Sequence, residues 1–385
     1  MSDNQRFLLE LITEAKSRSG GLVLSLDGQP QAVVLTIDRY NSLMAGGADS
    51  LTNKTMEIPQ QKKQTVLVTG GAGYIGGHVV HSLLKRGYTP IVIDDFRTGK
   101  RDHIPAGVTV VEGNVSNLEL LSKVFHEYSV DAVIHLAALL EVEESVRKPF
   151  EYFENNAAAT YILLQAMEQA GVKRIIFSST AAVYGEQATI PIPENAVPQP
   201  NNPYGESKLL PESILKYFCA HLGFNATVLR YFNVAGCEPT FNVVDTHKNS
   251  HLIPIVLDVA MGKANVLTVY GKDYPTFDGS CVRDFIHVLD VAEAHIASLE
   301  KDMSGFSLYN IGTGKGFSVE EVVQSAAEVT GKMIPIEVGP RRAGDAAITV
   351  ADTTKIQREL GFKPQYSTLE HIIDTSWQMA NRLGV

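Results

Sequence analysis

The 385-residue chain is short of several features that would each name a class of protein. Its three cysteines, Cys219, Cys237 and Cys281, are odd in number and form no CxxC pair, so neither a disulfide framework nor a cysteine zinc site is expected. The eleven histidines show no H-E-x-x-H spacing, and no metal centre is expected; His287 and His295 flank a helical run where packing or polar bonding accounts for them better. No apolar run approaches the ~18 residues that cross a bilayer. The polar opening MSDNQRFLLE lacks the charged start and cleavage site of a signal peptide, so a cytoplasmic location away from membranes is expected. Positive charge is also scarce: 33 Lys and Arg face 43 Asp and Glu, a net charge of -10, and binding to nucleic acid is not expected. What remains is an ordinary globular composition, 44% hydrophobic and 20% charged, with length for two or three domains.

Residues 45–64, AGGADSLTNKTMEIPQQKKQ, have almost no hydrophobic periodicity and read as solvated chain, giving an appendage at 1–50 and a linker at 51–64. Within the appendage a helical stretch (Phe7, Leu8, Leu11, Ile12, Ala15) precedes two strand-like runs, GLVLSL and QAVVLTI, around the turn Asp27-Gly28. Beyond the linker, TVLVTG, an amphipathic segment (Ile75, Val79, Leu83, Leu84) ending at Gly87, and PIVIDD make a βαβ unit. Further strands follow at VTVVEG, AVIHLAA, RIIFSS and ATVLRYFN. Capping-box spacing marks helix starts at Ser116 with Glu119, Ser318 with Glu321 and Ser367 with Glu370. The expected fold is α/β: a doubly wound parallel sheet at 65–240, a smaller domain at 241–385 with helices at 319–330 and 368–382, and the short α+β appendage.

Glycines 71, 73 and 76 of TGGAGYIGG form G-x-G-x-x-G where a strand ends and a helix begins. Such a turn lets backbone approach a pyrophosphate and aims free N–H groups at it, the Rossmann arrangement. Asp94 and Asp95 end the next strand, the first of them 23 residues after Gly71, where a carboxylate accepts bonds from an adenosine ribose and repels a 2′-phosphate. NAD is therefore expected rather than NADP. No Gly-Lys-Ser/Thr follows, which excludes an NTPase loop.

Tyr204 and Lys208 in YGESK stand one turn apart on a helix face. A free phenol, with a pKa of about 10, is a poor base at neutral pH. An ammonium beside it, together with the positive nicotinamide, favours the phenolate. By itself the pair is common on solvated helices; Ser178, Ser179 and Thr180, hydroxyls at the end of a strand in a nucleotide-binding sheet, strengthen the reading.

Together GGAGYIG, SSTAAVYG, YGESK, RYFN and KDYPTFDGSCVRDFIHV resemble the extended short-chain dehydrogenase/reductase superfamily, specifically its UDP-glucose 4-epimerase family, from about residue 65 onward. The resemblance implies Tyr204 as base, Lys208 as its activator and NAD anchor, and Thr180 as the hydroxyl that bonds the sugar's reacting oxygen, with Ser178 and Ser179 structural. It implies 4-epimerisation of a UDP-hexose through a transient 4-keto sugar, in galactose metabolism. Around NAD it places Gly71, Gly73, Tyr74, Ile75, Gly76, Asp94, Asp95, Asn114, Val115, Leu136, Ala137, Ala138 and Asn155, with Phe232 as a wall. Around the UDP-sugar it places Asn233, His251, Leu252, Tyr270, Arg283, Arg342, Asp345 and Thr349, the two arginines suiting a diphosphate. A homodimer is implied as well.

The chain departs from its relatives in four places. Asn114 stands where many relatives carry an Asp that meets the adenine amino group, a bond its carbonyl still accepts without charge, and Leu140 where some have a Lys near the cofactor ribose. His251 stands where some relatives use Asn, and Thr349 where some carry a large Tyr, which leaves room for a 2-acetamido group. Sugar-nucleotide 4,6-dehydratases carry an Asp-Glu pair after the threonine; Ala181-Ala182 here cannot protonate a leaving hydroxyl. UDP-N-acetylglucosamine, UDP-glucuronate or UDP-pentose substrates, or a catalytically silent NAD sensor, are the remaining alternatives. Residues 1–50 resemble the N-terminal module of prevent-host-death type antitoxins. Seven Lys/Arg balance seven Asp/Glu over residues 1–64, favouring a dimerisation or docking role over DNA binding.

Overall fold

A computed structural model describes residues 22–26, 29–34, 54–57 and 64–383, except 246–249, 302 and 343. Two compact units divide at Lys63/Gln64. In the first, β1 (Leu22–Leu26) and β2 (Gln29–Val34) pair antiparallel, and β3 (Lys54–Glu57) runs parallel to β1. The stretch expected to be only linker therefore supplies a strand. The expected helix at 7–15 and the Asp27-Gly28 turn lie outside the described residues.

In the second unit, β4 (Thr65–Thr69), β5 (Thr89–Asp94), β6 (Thr109–Glu112), β7 (Ala132–His135), β8 (Arg174–Thr180) and β9 (Asn225–Tyr231) belong to one parallel sheet. Short β10 (Asn233–Ala235), β11 (Leu267–Tyr270) and β12 (Val282–His287) follow, and β13 (Phe306–Ile311) returns to the main sheet beside β9. The order β13-β9-β8-β7-β4-β5-β6 reverses direction between β4 and β7. At that switch point the connections leave on opposite faces and open a crevice at the strands' C-terminal ends. Alternate residues of β4 feed two cores: Val66 and Val68 pack with Leu83, Val291 and Ile296, while Leu67 packs with Leu121, Leu163 and Phe177. Both faces are covered, so these strands read as nearly unbroken apolar runs.

The remaining strands are β14 (Gly316–Ser318), β15 (Ile336–Gly339) and β16 (Ile348–Thr349). β12 joins β10, β14 and β16, and β11 pairs with β15. Their core includes Ile253, Val256, Phe285, Val322 and Ile372. The division expected at 240 is crossed twice: β13 extends the main sheet, and residues of the helix Val288–Glu300 pack into one of its two cores.

Helix starts were legible to within a residue. Ser318 and Glu321 make both bonds of the capping box, Glu321 N–H to Ser318 Oγ at 3.1 Å and Ser318 N–H to Glu321 Oε2 at 2.8 Å. At Leu118–Glu127 the cap is Asn117, not Ser116, because Asn117 Oδ1 accepts the Leu120 N–H at 3.0 Å. Before Leu369–Leu383, Thr368 Oγ1 accepts the His371 N–H, while Ser367 Oγ is taken by Asp290 and the His287 N–H.

Since the first unit forms its own sheet and residues 64–385 hold both large cores, a chain beginning at residue 61 should fold cooperatively. Calorimetry should place its main thermal transition within a few degrees of the full chain's, about the effect of 1 kcal/mol or less. A truncated chain that is soluble but lacks that transition would contradict this division.

Candidate functional site

The crevice at the β4/β7 switch opens into a cavity of about 1460 Å³. It gathers every site residue expected from the sequence except Gly71, which is buried against Val92. Two glycines explain the loop after β4. Gly70 has φ +73°, and a Cβ there would lie 2.7 Å from the Ala137 nitrogen; at Gly76 it would lie 2.0 Å from the Gly70 oxygen. Backbone therefore meets backbone where a side chain has no room. The helix Tyr74–Lys85 begins at Gly73 with no side-chain cap and no acid in its first turn, leaving its positive end open to an anion.

Asp94 braces this loop. Its Oδ2 accepts the Ala72 N–H at 2.9 Å and its Oδ1 the Phe96 N–H at 2.9 Å. Burial raises its pKa, against the pull of those two bonds. Asp95 accepts from Asn114 Nδ2 at 2.9 Å and pairs with Arg97 at 3.4 Å. The Asn114 carbonyl accepts the Ser116 N–H at 2.8 Å and has a second lone pair free for another donor. Leu136, Ala137, Ala138 and Leu140 line the cavity from the loop after β7. Asn156, unnoticed in the sequence, ties that loop down: it accepts the Leu139 N–H at 2.8 Å and donates to Leu139 O and Ser207 Oγ at 2.9 Å each.

Ser207 belongs to the helix Pro203–Leu222, which starts with Asn202 Oδ1 accepting the Gly205 N–H at 2.9 Å and carries Tyr204 and Lys208 on one face. Thr180, ending β8, accepts the Ala182 N–H at 3.1 Å, and its hydroxyl favours the charged form of Tyr204. Lys208 is 3% exposed, with its Nζ 4.6 Å from the centre of the Phe177 ring. Burial lowers its pKa to about 7, and Glu212, one turn further on, resists that fall. Without a nicotinamide charge the Tyr204 pKa goes up: burial dominates, Glu141 adds to it, and the Thr180 hydroxyl opposes both.

Two buried networks support this face. Arg230 on β9 holds Glu212 through Nε at 3.0 Å and Nη2 at 2.5 Å, and Glu212 also accepts from Ser179. His295 gives its Nδ1 proton to Val291 O at 2.8 Å, so its Nε2 accepts from the Tyr231 hydroxyl at 2.7 Å. Tyr231 in turn accepts from Ser178 at 2.7 Å.

Across the cavity, Arg283 is fixed by donating to Val282 O at 2.9 Å and Ala346 O at 2.8 Å, and lies 3.5 Å from Asp345. Arg342 lies over the Tyr270 ring at 4.1 Å, whereas Arg341 turns away to Asp273 at 2.7 Å. Thr349 pairs with Arg283 across β16 and β12. His251 Nδ1 is 2.6 Å from Asp245; burial disfavours its charge, but Asp245 and Glu141 prevail and its pKa is raised. Asn233 and Phe232 close the floor between the two halves.

A scan against family profiles matches residues 66–312 to the NAD dependent epimerase/dehydratase family. The chain belongs to that family. Among curated relatives, the UDP-glucose 4-epimerase of Lacticaseibacillus casei is 44% identical over 316 residues, 81% of this chain and 96% of that one. Among solved structures, the UDP-glucose 4-epimerase of Brucella ovis in complex with NAD superposes with a TM-score of 0.79 at 40% identity, covering 82% of this chain and 97% of that one. The Bifidobacterium longum enzyme in complex with NAD+ and UDP gives 0.78 at 39% identity, over 83% and 98%. One cavity thus holds the glycine loop, Arg283 and Arg342, and the group Tyr204, Lys208 and Thr180.

Replacing Glu212 by Ala leaves the Arg230 guanidinium buried and unpaired. The expected loss is about 3–5 kcal/mol of folding stability, read from the midpoint of chemical denaturation. A change below about 1 kcal/mol would show that Arg230 finds another partner.

Proposed function

We propose that the protein is an NAD-dependent 4-epimerase of UDP-hexoses, acting on UDP-glucose and UDP-galactose. The observation that carries this reading is the meeting of Tyr204, Lys208 and Thr180 in a cavity shared by the glycine loop and by Arg283 and Arg342. The cradle fits NAD: Gly70 and Gly76 admit no side chain, the helix N-terminus is open, and the acids Asp94 and Asp95 disfavour a 2′-phosphate. Asp95 and Asn114 lie at the adenosine side, and Lys208 at the reacting end. When bound, NAD supplies hydride acceptance and return at the sugar carbon.

The chain's own work is to hold the sugar and move its proton. Arg283 and Arg342 anchor the diphosphate, while Leu252, Tyr270, Asn233, Asp345 and His251 shape the rest of the UDP-sugar pocket. Thr180 bonds the reacting oxygen and Tyr204 takes its proton, then returns it after the ketone has turned its other face. Ala181 and Ala182 follow Thr180 in a short 3-10 turn, with no acid to expel water, so epimerisation is favoured over dehydration. Because the hydride is returned, no net reduction should accumulate. Thr349 supports a second substrate, UDP-N-acetylglucosamine, since it leaves space where a Tyr side chain would stand.

The purified protein should interconvert UDP-glucose and UDP-galactose with no NAD added, turn over some UDP-N-acetylglucosamine, and release NAD on denaturation. Release of NADP, or stoichiometric NADH formation, would sink the assignment. We further propose a homodimer through the apolar surface that includes Val146, Phe150 (82% exposed) and Tyr217 (60% exposed). Sedimentation at twice the chain mass checks this. A cytoplasmic location agrees with three free cysteines. Among the described residues no helix is long and apolar enough to cross a membrane.

Tyr204→Phe removes the proton acceptor and keeps the ring. Turnover should fall about 10²–10⁴-fold, with bound NAD retained and a smaller loss in Thr180→Ala. Near-normal turnover in the Phe variant would mean that another group is the base.

A further inference from the structure

Glu141 is a carboxylate of the cavity lining that belongs to neither the cofactor set nor the substrate set. Glu141 leads into the short helix Val142–Arg147, and its backbone oxygen accepts the Tyr152 hydroxyl at 2.7 Å. The Tyr152 ring stands edge-on to Tyr204, with centroids 6.4 Å apart and planes at 85°. From this anchor the Glu141 side chain reaches across to the other half of the cavity, where its Oε1 accepts from Ser250 Oγ at 2.9 Å. Ser250 precedes His251, so Glu141 spans from the base to the rim of the sugar pocket.

Charged groups of both signs surround it. His251 and Asp245 form a pair at 2.6 Å. Lys208, one turn on from Tyr204, has its pKa lowered to about 7 by burial and so carries only part of a charge at neutral pH. Glu144 bonds Tyr152 from behind at 3.1 Å. Arg147, which also lines the cavity, ends the short helix that Glu141 begins, while Arg283 pairs with Asp345 and Arg342 lies over Tyr270. Glu141 is the carboxylate whose charge raises the Tyr204 pKa.

We propose that Glu141 determines sugar specificity, its carboxylate accepting hydrogen bonds from hydroxyls of the sugar presented to Tyr204 and excluding sugars that bear a carboxylate. This rests on the epimerase reading and narrows its substrate class to neutral UDP-hexoses. A hydroxyl donates to a carboxylate in a charge-assisted bond, whereas a second carboxylate meets like charge in a partly dry cavity. The same charge opposes ionisation of Tyr204, so its removal lowers the pKa of the base.

The test compares the wild type, Glu141→Gln and Glu141→Asp with UDP-glucose and UDP-glucuronate, and records kcat/KM for UDP-glucose against pH. Glutamine is isosteric, and the Tyr152 bond is to backbone, so the fold is kept. In Glu141→Gln the UDP-glucuronate to UDP-glucose ratio of kcat/KM should rise about tenfold or more, KM for UDP-glucose should rise, and the acid limb should move to lower pH. Glu141→Asp, which keeps the charge, should retain the wild-type exclusion. An unchanged ratio and pH profile in Glu141→Gln would overturn the inference. So would wild-type turnover of UDP-glucuronate equal to that of UDP-glucose, while leaving the epimerase reading intact. Wild-type inactivity on UDP-glucose would instead remove the epimerase reading and this inference with it.

Discussion

The cavity is organised by one helix, and the rotation of that helix is fixed by polar bonds made out of water. Pro203–Leu222 buries Gly205, Ser207, Lys208 and Glu212. Pro211 and Leu215 are buried on it as well, so its buried face is part apolar and part polar. An apolar face slides with little change in energy, but hydrogen bonds lose strength steeply with distance and angle. Ser207 bonded to Asn156, and Glu212 bonded to Ser179 and Arg230, admit one rotation. That rotation aims Tyr204 at Thr180 and Lys208 into the sheet's open end. Burying an ion pair is no net gain over an apolar core, so its role here lies in specifying position.

A second constraint acts where β4 and β7 diverge. The loop leaving β4 passes so close to Ala137 that Gly70 has no space for a Cβ. This crowding brings the open helix N-terminus, the Asp94 brace and the loop carrying Leu136 to Leu140 to one rim. Glu141 continues from the same loop. The crevice created by strand order therefore sets both the phosphate cradle and the wall beside the base.

Much of this was legible because it is local. A strand covered on both faces shows as an apolar run, a glycine loop shows as spaced glycines, and Ser318 with Glu321 shows as a box. Elements that depend on distant partners were not. Lys54–Glu57 sits in a polar stretch and becomes a strand only by pairing with Leu22–Leu26. β13 joins β9 across some 80 residues, which no spacing announces. The caps at Asn117 and Thr368 displaced their serine neighbours because Ser367 already had partners and the helix following Ser116 starts one residue later. Glu212 and Arg230, 18 residues apart, carry no periodic signal at all. The polar interior of the site was thus the least readable part, since it is built from contacts between elements.

Tyr204 shows why the direction of a pKa shift could not be inferred from the Tyr–Lys spacing. Spacing brings a cation near the phenol, but it also carries both groups into the same buried wall. Burial disfavours the phenolate and the ammonium alike, so the phenol rises while Lys208 falls to about 7. Starting from similar ordinary values, the two groups move apart in proton affinity, so the phenol is the one that keeps its proton. Ionising it depends on the local field. Within the chain that field comes from two sides: the Thr180 hydroxyl favours charge on Tyr204, and the Glu141 carboxylate opposes it. Burial outweighs both, so positive charge brought into the cavity by an occupant is what would favour the phenolate.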